Sequence, residues 1–480
     1  MKTNSLDFDA QALREKILDL AMRGKLVKQD PNDEPASVLL EKIKAEKAEL
    51  VKEKKIKKSK PLPEITDDEK PFDIPDSWEW VRLGDVLLNT IGGGTPSKKN
   101  QDYWNGKIPW ISVKDVHKDE LEITETQDTI STMGLKNSST NLIKANTLIA
   151  VMRMAVGRIG VVKMNACINQ DLRALITSKN FCDQYLLYIY SHLNFETSGI
   201  TVKGLKINAL LETIIPLPPL SEQSRIAAKI AQLFALLRKV ESSTQQYAKL
   251  QTLLRSKVLD LAMRGKLVEQ DPNDEPASVL LEKIKAEKEQ LIKEKKMKKS
   301  KPLPPIADDE KPFEIPDSWE WVRLGEVNTY IGKNIHPEKT PEQLFELYSV
   351  PIYETNSPEI TSGKEIKSNK QTVIPDDILL CKINPRINRV WRVGNYTNYK
   401  NIASTEWIVV RQSQLLPDYL RYVLMSPYFR KLLQSNVSGV GGSLTRAKPV
   451  LVKKYVIPIP PLSEQSRISL KIAHLFTLLK

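Results

Sequence analysis

Two sets of side chains in this sequence have the chemistry to grip a polyanion. One comprises Lys98 and Lys99 after GGGTPS, Arg153 and Arg158 in VMRMAVGRIG, Asn169 and Gln170 in CINQDL, and Lys203 and Lys206 in TVKGLK. The other comprises Lys382, Arg386 and Arg389 in CKINPRINR, then Arg446 and Lys448 in GGSLTRAK. Arginine and lysine donate to guanine O6 and N7 or to phosphate oxygens, and asparagine and glutamine can bridge the edge of adenine. The stretches that hold these residues are broken by Gly, Asn and Pro, so they are expected to be loops between short strands. Taken singly, each residue is as readily a surface charge or a strand-end cap as a base contact.

Side chains that could break bonds lack partners. The sequence contains no HExxH, no GxSxG and no GxGxxG opening a helix, and IGGGTPSKK lacks the GK[ST] ending that sets a lysine and a magnesium-binding hydroxyl on a phosphate. An Asn or Asp followed by Pro-Pro and an aromatic, used by amino-methyltransferases to hold an extruded base, is also missing. His117, His192, His336 and His474 are isolated, and Cys167, Cys182 and Cys381 have no CxxC spacing. The cysteines are expected to be small buried hydrophobes, and neither a metal site nor catalysis is expected.

The elements that position the basic sets follow from charge and repetition. The 480 residues carry a net charge of +13. Residues 87–213 hold 14 Lys and Arg against 11 Asp and Glu, and residues 328–455 hold 18 against 10, so these two blocks supply nearly all of the excess. The lysine runs KEKKIKKSK and KEKKMKKSK are offset by glutamate and suit solvated helix ends. No run approaches the roughly 18 apolar residues of a membrane span, the start lacks a secretory pattern, and a cytoplasmic protein with no membrane role is expected.

Residues 18–47 return at 259–288 with one change, Lys28 to Glu269, and IIPLPPLSEQSRI at 214–226 returns as VIPIPPLSEQSRI at 456–468. The order is a repeated helical region 1–72, a variable domain 73–213, a central repeated region 214–313, a second variable domain 314–455 and a repeated helix 456–480. Laid end to end, the terminal pieces rebuild the central region, so the chain reads as a ring of two units opened once. Within it, Ile226, Ile230, Leu233, Leu237, Val240, Tyr247, Leu254, Val258 and Leu261 recur at steps of 3 and 4 once polar slots at Thr244 and Gln251 are included, the seam of a coiled coil. Ser221 is expected to cap this helix and Gly265 to end it, so residues 221–264 would span roughly 65 Å. The terminal pieces carry matching seams and are expected to lie antiparallel along it. The fold class is therefore α+β: two α+β domains separated by a long antiparallel helical spacer, with pseudo-twofold, circular repetition. A nearly twofold ligand such as duplex DNA suits such a chain.

The layout resembles the specificity subunit of type I restriction-modification systems over essentially the full chain. GGGTPSKKNQDYWNGKIPWISVKDV is similar to the opening of a target recognition domain, and INQDLRAL, GLKINALLETIIPLPPLSEQSRI and GKLVKQDPNDEPASVLL are similar to other motifs of that family. The second block departs, with YIGKNIHPEKT and LYSVPIYET in place of GGTP and PWI. The resemblance implies two target recognition domains that each read half of a split, asymmetric site in double-stranded DNA. It also implies docking of two methyltransferase subunits and of restriction/translocase subunits. This chain would bind no cofactor, with S-adenosylmethionine, ATP and magnesium held by those partners. Readers on one face of a duplex would sit about one helical turn, roughly 34 Å, apart. Two other classes remain open at this point: a single-chain DNA modification enzyme, and a structural coiled-coil scaffold with no nucleic-acid role.

Overall fold

The computed structural model describes residues 9–118, 120–198, 204–435, 437–438 and 445–479. Its residues cluster into two compact units that divide between Thr244 and Gln245. The 44-residue helix Leu220–Met263 contributes its first half to one unit and its second half to the other.

In the first unit the helix Ala10–Met22 starts at Asp9, whose carboxylate accepts from the Ala12 N–H. It stops at Gly24, which takes φ +66°, a conformation that costs glycine nothing. A side chain there would also collide with Pro75 at 2.4 Å. After the turn, Pro35 precedes the helix Ala36–Lys52. The helix Ala10–Met22 and the segment after it run antiparallel to the first half of the long helix. Arg14 binds Glu241 at 2.6 Å, Gln29 donates to Glu222, and Arg225 pairs with Asp33. Leu18, Ala21 and Met22 pack into one core with Ile226 and Ile230.

The second unit repeats this arrangement from the other end of the chain. Arg255 donates to the Leu479 carbonyl at 3.1 Å, Gln270 to Glu464 at 2.6 Å, and Arg467 pairs with Asp274 at 2.6 Å. The helix Leu462–Leu478 is therefore antiparallel to the second half of the long helix, and Gly265, with φ +65°, ends that half as expected.

Two expectations about the long helix are corrected. It starts at Leu220, where the Gln223 N–H donates to the Pro219 carbonyl and the Gln223 side chain to the Pro218 carbonyl, so Ser221 is not the cap. The seam is also not buried throughout. Ile226, Ile230 and Leu237 are buried, and Leu233, Val258 and Leu261 half-buried, but Val240 and Leu254 are 41% and 50% exposed. Both lie where the described partner helices run out, beside Glu241 and Arg255, so periodicity alone supplied no surface to cover them.

Each variable block sits on a strand pair made by the repeats: Glu79–Arg82 with Ile214–Leu217, and Glu320–Arg323 with Val456–Ile459, both antiparallel. Arg82 and Arg323 end the first strand of each pair and are almost fully buried. Arg323 donates to the carbonyls of Pro304, Pro305 and Lys454 and to Glu310, and Arg82 donates to Pro63, Glu64, Glu212 and Glu69 in the same way. Beyond this pair the first block has a five-stranded and a four-stranded sheet, and the second a five-stranded and a three-stranded sheet. The strands Leu148–Val151 and Ile378–Cys381 are buried on both faces. Leu148 and Leu380 face the core shared with the repeated helices, whereas Ile149 and Leu379 face a second core inside the block. Continuous apolar runs such as TLIAVM are what two-sided burial requires. The hydroxyls of Tyr185 and Tyr419, both fully buried, donate to the carbonyls of Pro216 and Pro458, 2.9 Å in each case.

Candidate nucleic-acid interface

The segment IGGGTPSKK opens with the last two residues of the strand Leu87–Gly92, and its next glycines lie against the turn at Asn169–Asp171. The Gly94 N–H donates to the Ile168 carbonyl at 2.9 Å, and a Cβ on Gly93 would meet the Ile168 and Asn169 carbonyl oxygens at 2.2 and 2.1 Å. These glycines allow backbone to touch backbone. The loop is then pinned from three sides. The Trp110 indole donates to the Gly94 carbonyl at 3.1 Å, the Trp104 indole to the Ser97 carbonyl at 3.2 Å, and the Thr95 hydroxyl to Gln170 Oε1. Lys98 and Lys99 are exposed on this anchored loop.

The remaining first-unit residues divide by role. Asn169 is 6% exposed; its side chain accepts from the Asp171 N–H at 3.0 Å and donates to the Asp171 carboxylate. In this structure its amide shapes the turn. Gln170 is exposed. Arg153 is 56% exposed and pairs with Asp171 at 3.3 Å, whereas Arg158 is half-buried and donates to the Val116 carbonyl. Lys206 is exposed, directly before the helix Ile207–Glu212. Lys203 lies outside the described residues.

In the second unit Lys382, half-buried, has Nζ 3.9 Å from Glu406, and Arg446, 56% exposed, binds the same carboxylate at 3.4 Å. Arg389 is largely covered and sits 3.9 Å from Glu354. Arg386 is exposed, and its carbonyl accepts from Arg430. Lys448 is exposed and precedes the short helix Pro449–Val452, as Lys206 precedes its own. Beside Glu406 a cleft opens over Lys370, whose ammonium burial makes easier to deprotonate and which donates to Ser368. Burial likewise pushes the Cys381 thiol up, as expected of a core cysteine.

Sequence reasoning missed the acids. It sought cations and amides, and so passed over Asp171, which pairs with Arg153, and Glu406, which pairs with Lys382 and Arg446. The signal was present in CINQDL, where Asp171 directly follows the two amides selected. Among the described residues no group of three His, Cys, Asp or Glu could hold a metal ion, and no helix is long and apolar enough to cross a membrane.

The chain thus consists of two like α+β units, each with exposed basic residues on a block joined to a strand pair of the repeated segments. The family model for the type I restriction modification DNA specificity domain matches residues 75–251 and 316–478, together more than two thirds of the chain. The chain is 37% identical over 396 residues to the type I restriction enzyme EcoAI specificity subunit of Escherichia coli, covering 68% of this chain and 63% of that one. To the EcoEI specificity subunit of the same organism it is 35% identical, covering 70% and 64%. It thus spans less than two thirds of the length of either relative. A chain solved in work on the complex assembly and conformational transition of the type I R-M system superposes with a TM-score of 0.54 at 19% identity, over 85% of this chain and 92% of that one. The chain belongs to the family of type I restriction-modification specificity subunits.

Proposed function

We propose that this chain is the non-catalytic, DNA-reading subunit of a type I restriction-modification complex in the cytoplasm, with each variable block reading one half of a bipartite, asymmetric site. The observation that carries this reading is the pairing of likeness and difference in the two units. The strand pair, the buried arginine, the tyrosine anchor and the helix ladder are the same in both, while the exposed cations stand on unrelated sequences. A constant mount with two different reading surfaces suits a site whose halves differ. The repeated segments offer like surfaces on which two methyltransferase subunits dock, and restriction/translocase subunits join that assembly. In this reading S-adenosylmethionine, ATP and magnesium are held by those partners.

The test is a swap of residues 87–213 for the corresponding block of another family member, followed by mapping of methylated adenines in cells that carry the partner subunits. One half of the target should change and the other stay. A target that changes in both halves, or in neither, would refute the reading. The chain alone should bind DNA with an affinity that falls steeply with salt, because neutralising phosphates releases counterions.

A further inference from the structure

We propose that Asp171 and Glu406 are positioning residues for half-site specificity, each a fixed carboxylate that orients an exposed arginine, Arg153 in the first unit and Arg446 in the second, toward a base edge. This rests on the DNA-reading function above and adds the residues that set its selectivity.

Backbone hydrogen bonds make the two places equivalent although their sequences are not alike. The Met152 N–H donates to the Asp171 carbonyl at 2.8 Å, and the Lys382 N–H to the Glu406 carbonyl at 3.0 Å. The Leu205 N–H then donates to the Met152 carbonyl at 2.7 Å, and the Ala447 N–H to the Lys382 carbonyl at 2.8 Å. Each acid also receives the same local support, its own N–H donating to a side-chain oxygen two residues earlier, Asn169 Oδ1 or Ser404 Oγ. Asp171 thus matches Glu406, and the bridge between Arg153 and Gly204 matches the bridge between Ile383 and Arg446.

Across this matched bridge the cation changes sides. The first unit has arginine at the first position and glycine at the second; the second unit has isoleucine at the first and arginine at the second. In both cases a guanidinium ends within ion-pair distance of the turn carboxylate, at 3.3 and 3.4 Å. Charge is kept in space and not in sequence. Stability does not account for this, because pairs whose cation is 56% exposed contribute little. Preorganisation does. A guanidinium steered by a carboxylate has fewer rotamers to give up when it meets guanine O6 and N7, and its planar fork suits that bidentate contact. The carboxylate also repels phosphate, which disfavours a sequence-blind contact by the same arginine.

The test uses the full chain with its methyltransferase partners and reads methylation rates on targets altered one base pair at a time. Asp171→Asn should reduce discrimination at one position of one half-site by roughly ten- to hundredfold, the range of a lost bidentate contact, and leave the other half-site unchanged. Glu406→Gln should do the same in the opposite half. Asp171→Glu, the residue type of the second unit, should restore discrimination. Because Asp171 is largely buried, Arg153→Gln is the companion variant; it alters an exposed side chain and should relax the same position. Unchanged discrimination in Arg153→Gln, or loss spread equally over both halves, would overturn the assignment. If the unaltered complex shows no site preference at all, the DNA-reading function itself fails.

Discussion

Replacing Arg323 by methionine should unfold the second unit at markedly lower temperature and leave the first unit nearly untouched. Arg323 is 1% exposed. Its Nε donates to the Pro304 carbonyl at 2.6 Å, one Nη to the Lys454 carbonyl at 2.6 Å, and the other to the Pro305 carbonyl at 2.8 Å and to Glu310 at 2.7 Å. Methionine fills the volume of the aliphatic stem but donates nothing, so three carbonyls lose their partner. At about 1–3 kcal/mol for each buried group left unsatisfied, moderated where water can reach, the cost lands near the 3–5 kcal/mol typical of breaking a buried ionic network. The Glu310 side chain is 40% exposed, so water replaces much of its partner and it adds little. For a unit of this size each kcal/mol moves the midpoint by about 2–4 °C, giving a drop of roughly 6–20 °C in one of two transitions. Differential scanning calorimetry reads the drop, and hydrogen exchange at residues 301–313 and 454–459 locates it. Arg82→Met should move the other transition. A loss below about 1 kcal/mol, or equal shifts in both transitions, would refute the argument. The same network has a pH signature. Arg323 and the Ala307 N–H hold the Glu310 carboxyl down at about 2, against an ordinary 4.5. A depressed carboxylate contributes stability that is present above its unfolded value and lost as pH falls through its folded one. The second unit should therefore weaken slightly between pH 4.5 and about 2, the exposure of Glu310 keeping the effect small, and the Arg323→Met protein should not show that slope.

Glu222 presents the opposite sign. It is buried, accepts from the Trp78 indole at 2.8 Å, and burial pushes its carboxyl above the ordinary value. Its contribution is present at low pH and lost as pH rises through the raised value, so Glu222→Gln should lose less stability than the parent as pH rises above 4.5, measured by thermal melts. Gly93→Ala should destabilise the first unit by about 1–3 kcal/mol, the cost of forced overpacking, because the neighbouring atoms are backbone carbonyls that cannot rotate away. A loss under 0.5 kcal/mol, about what a neutral surface change gives, would argue against the close approach of the glycine loop. Ile230→Ala should cost about 2–5 kcal/mol in chemical denaturation, whereas Leu254→Gln, at a half-exposed seam position, should stay within about 0.5 kcal/mol.

Much of the helical part was legible because its signals are local. Gly265 ends its helix where the sequence placed it, and the seam spacing holds at Ile226, Ile230 and Leu237. Val240 and Leu254 failed because a seam is buried only where a partner reaches, and reach is decided by where other helices end. The Ser221 cap failed because the helix begins before it: the Gln223 N–H already bonds the Pro219 carbonyl in the helical pattern, which leaves Ser221 inside the first turn. At the candidate site, exposed lysines such as Lys98, Lys206 and Lys448 were recognisable from loop composition, but Asn169 was not separable from Gln170, since adjacent residues in a turn face opposite environments.

The duplication, the circular order of the repeats and the concentration of positive charge in two blocks belong to the sequence alone, because identity and charge can be counted without coordinates. The likeness of the two variable blocks belongs to the tertiary structure. Backbone hydrogen bonds hold Met152 to Asp171 and Lys382 to Glu406 without regard to side-chain identity, so the scaffold persisted while the residues on it changed. An arginine stands on one side of the β-bridge in the first unit and on the opposite side in the second, a likeness in space that residue order does not show.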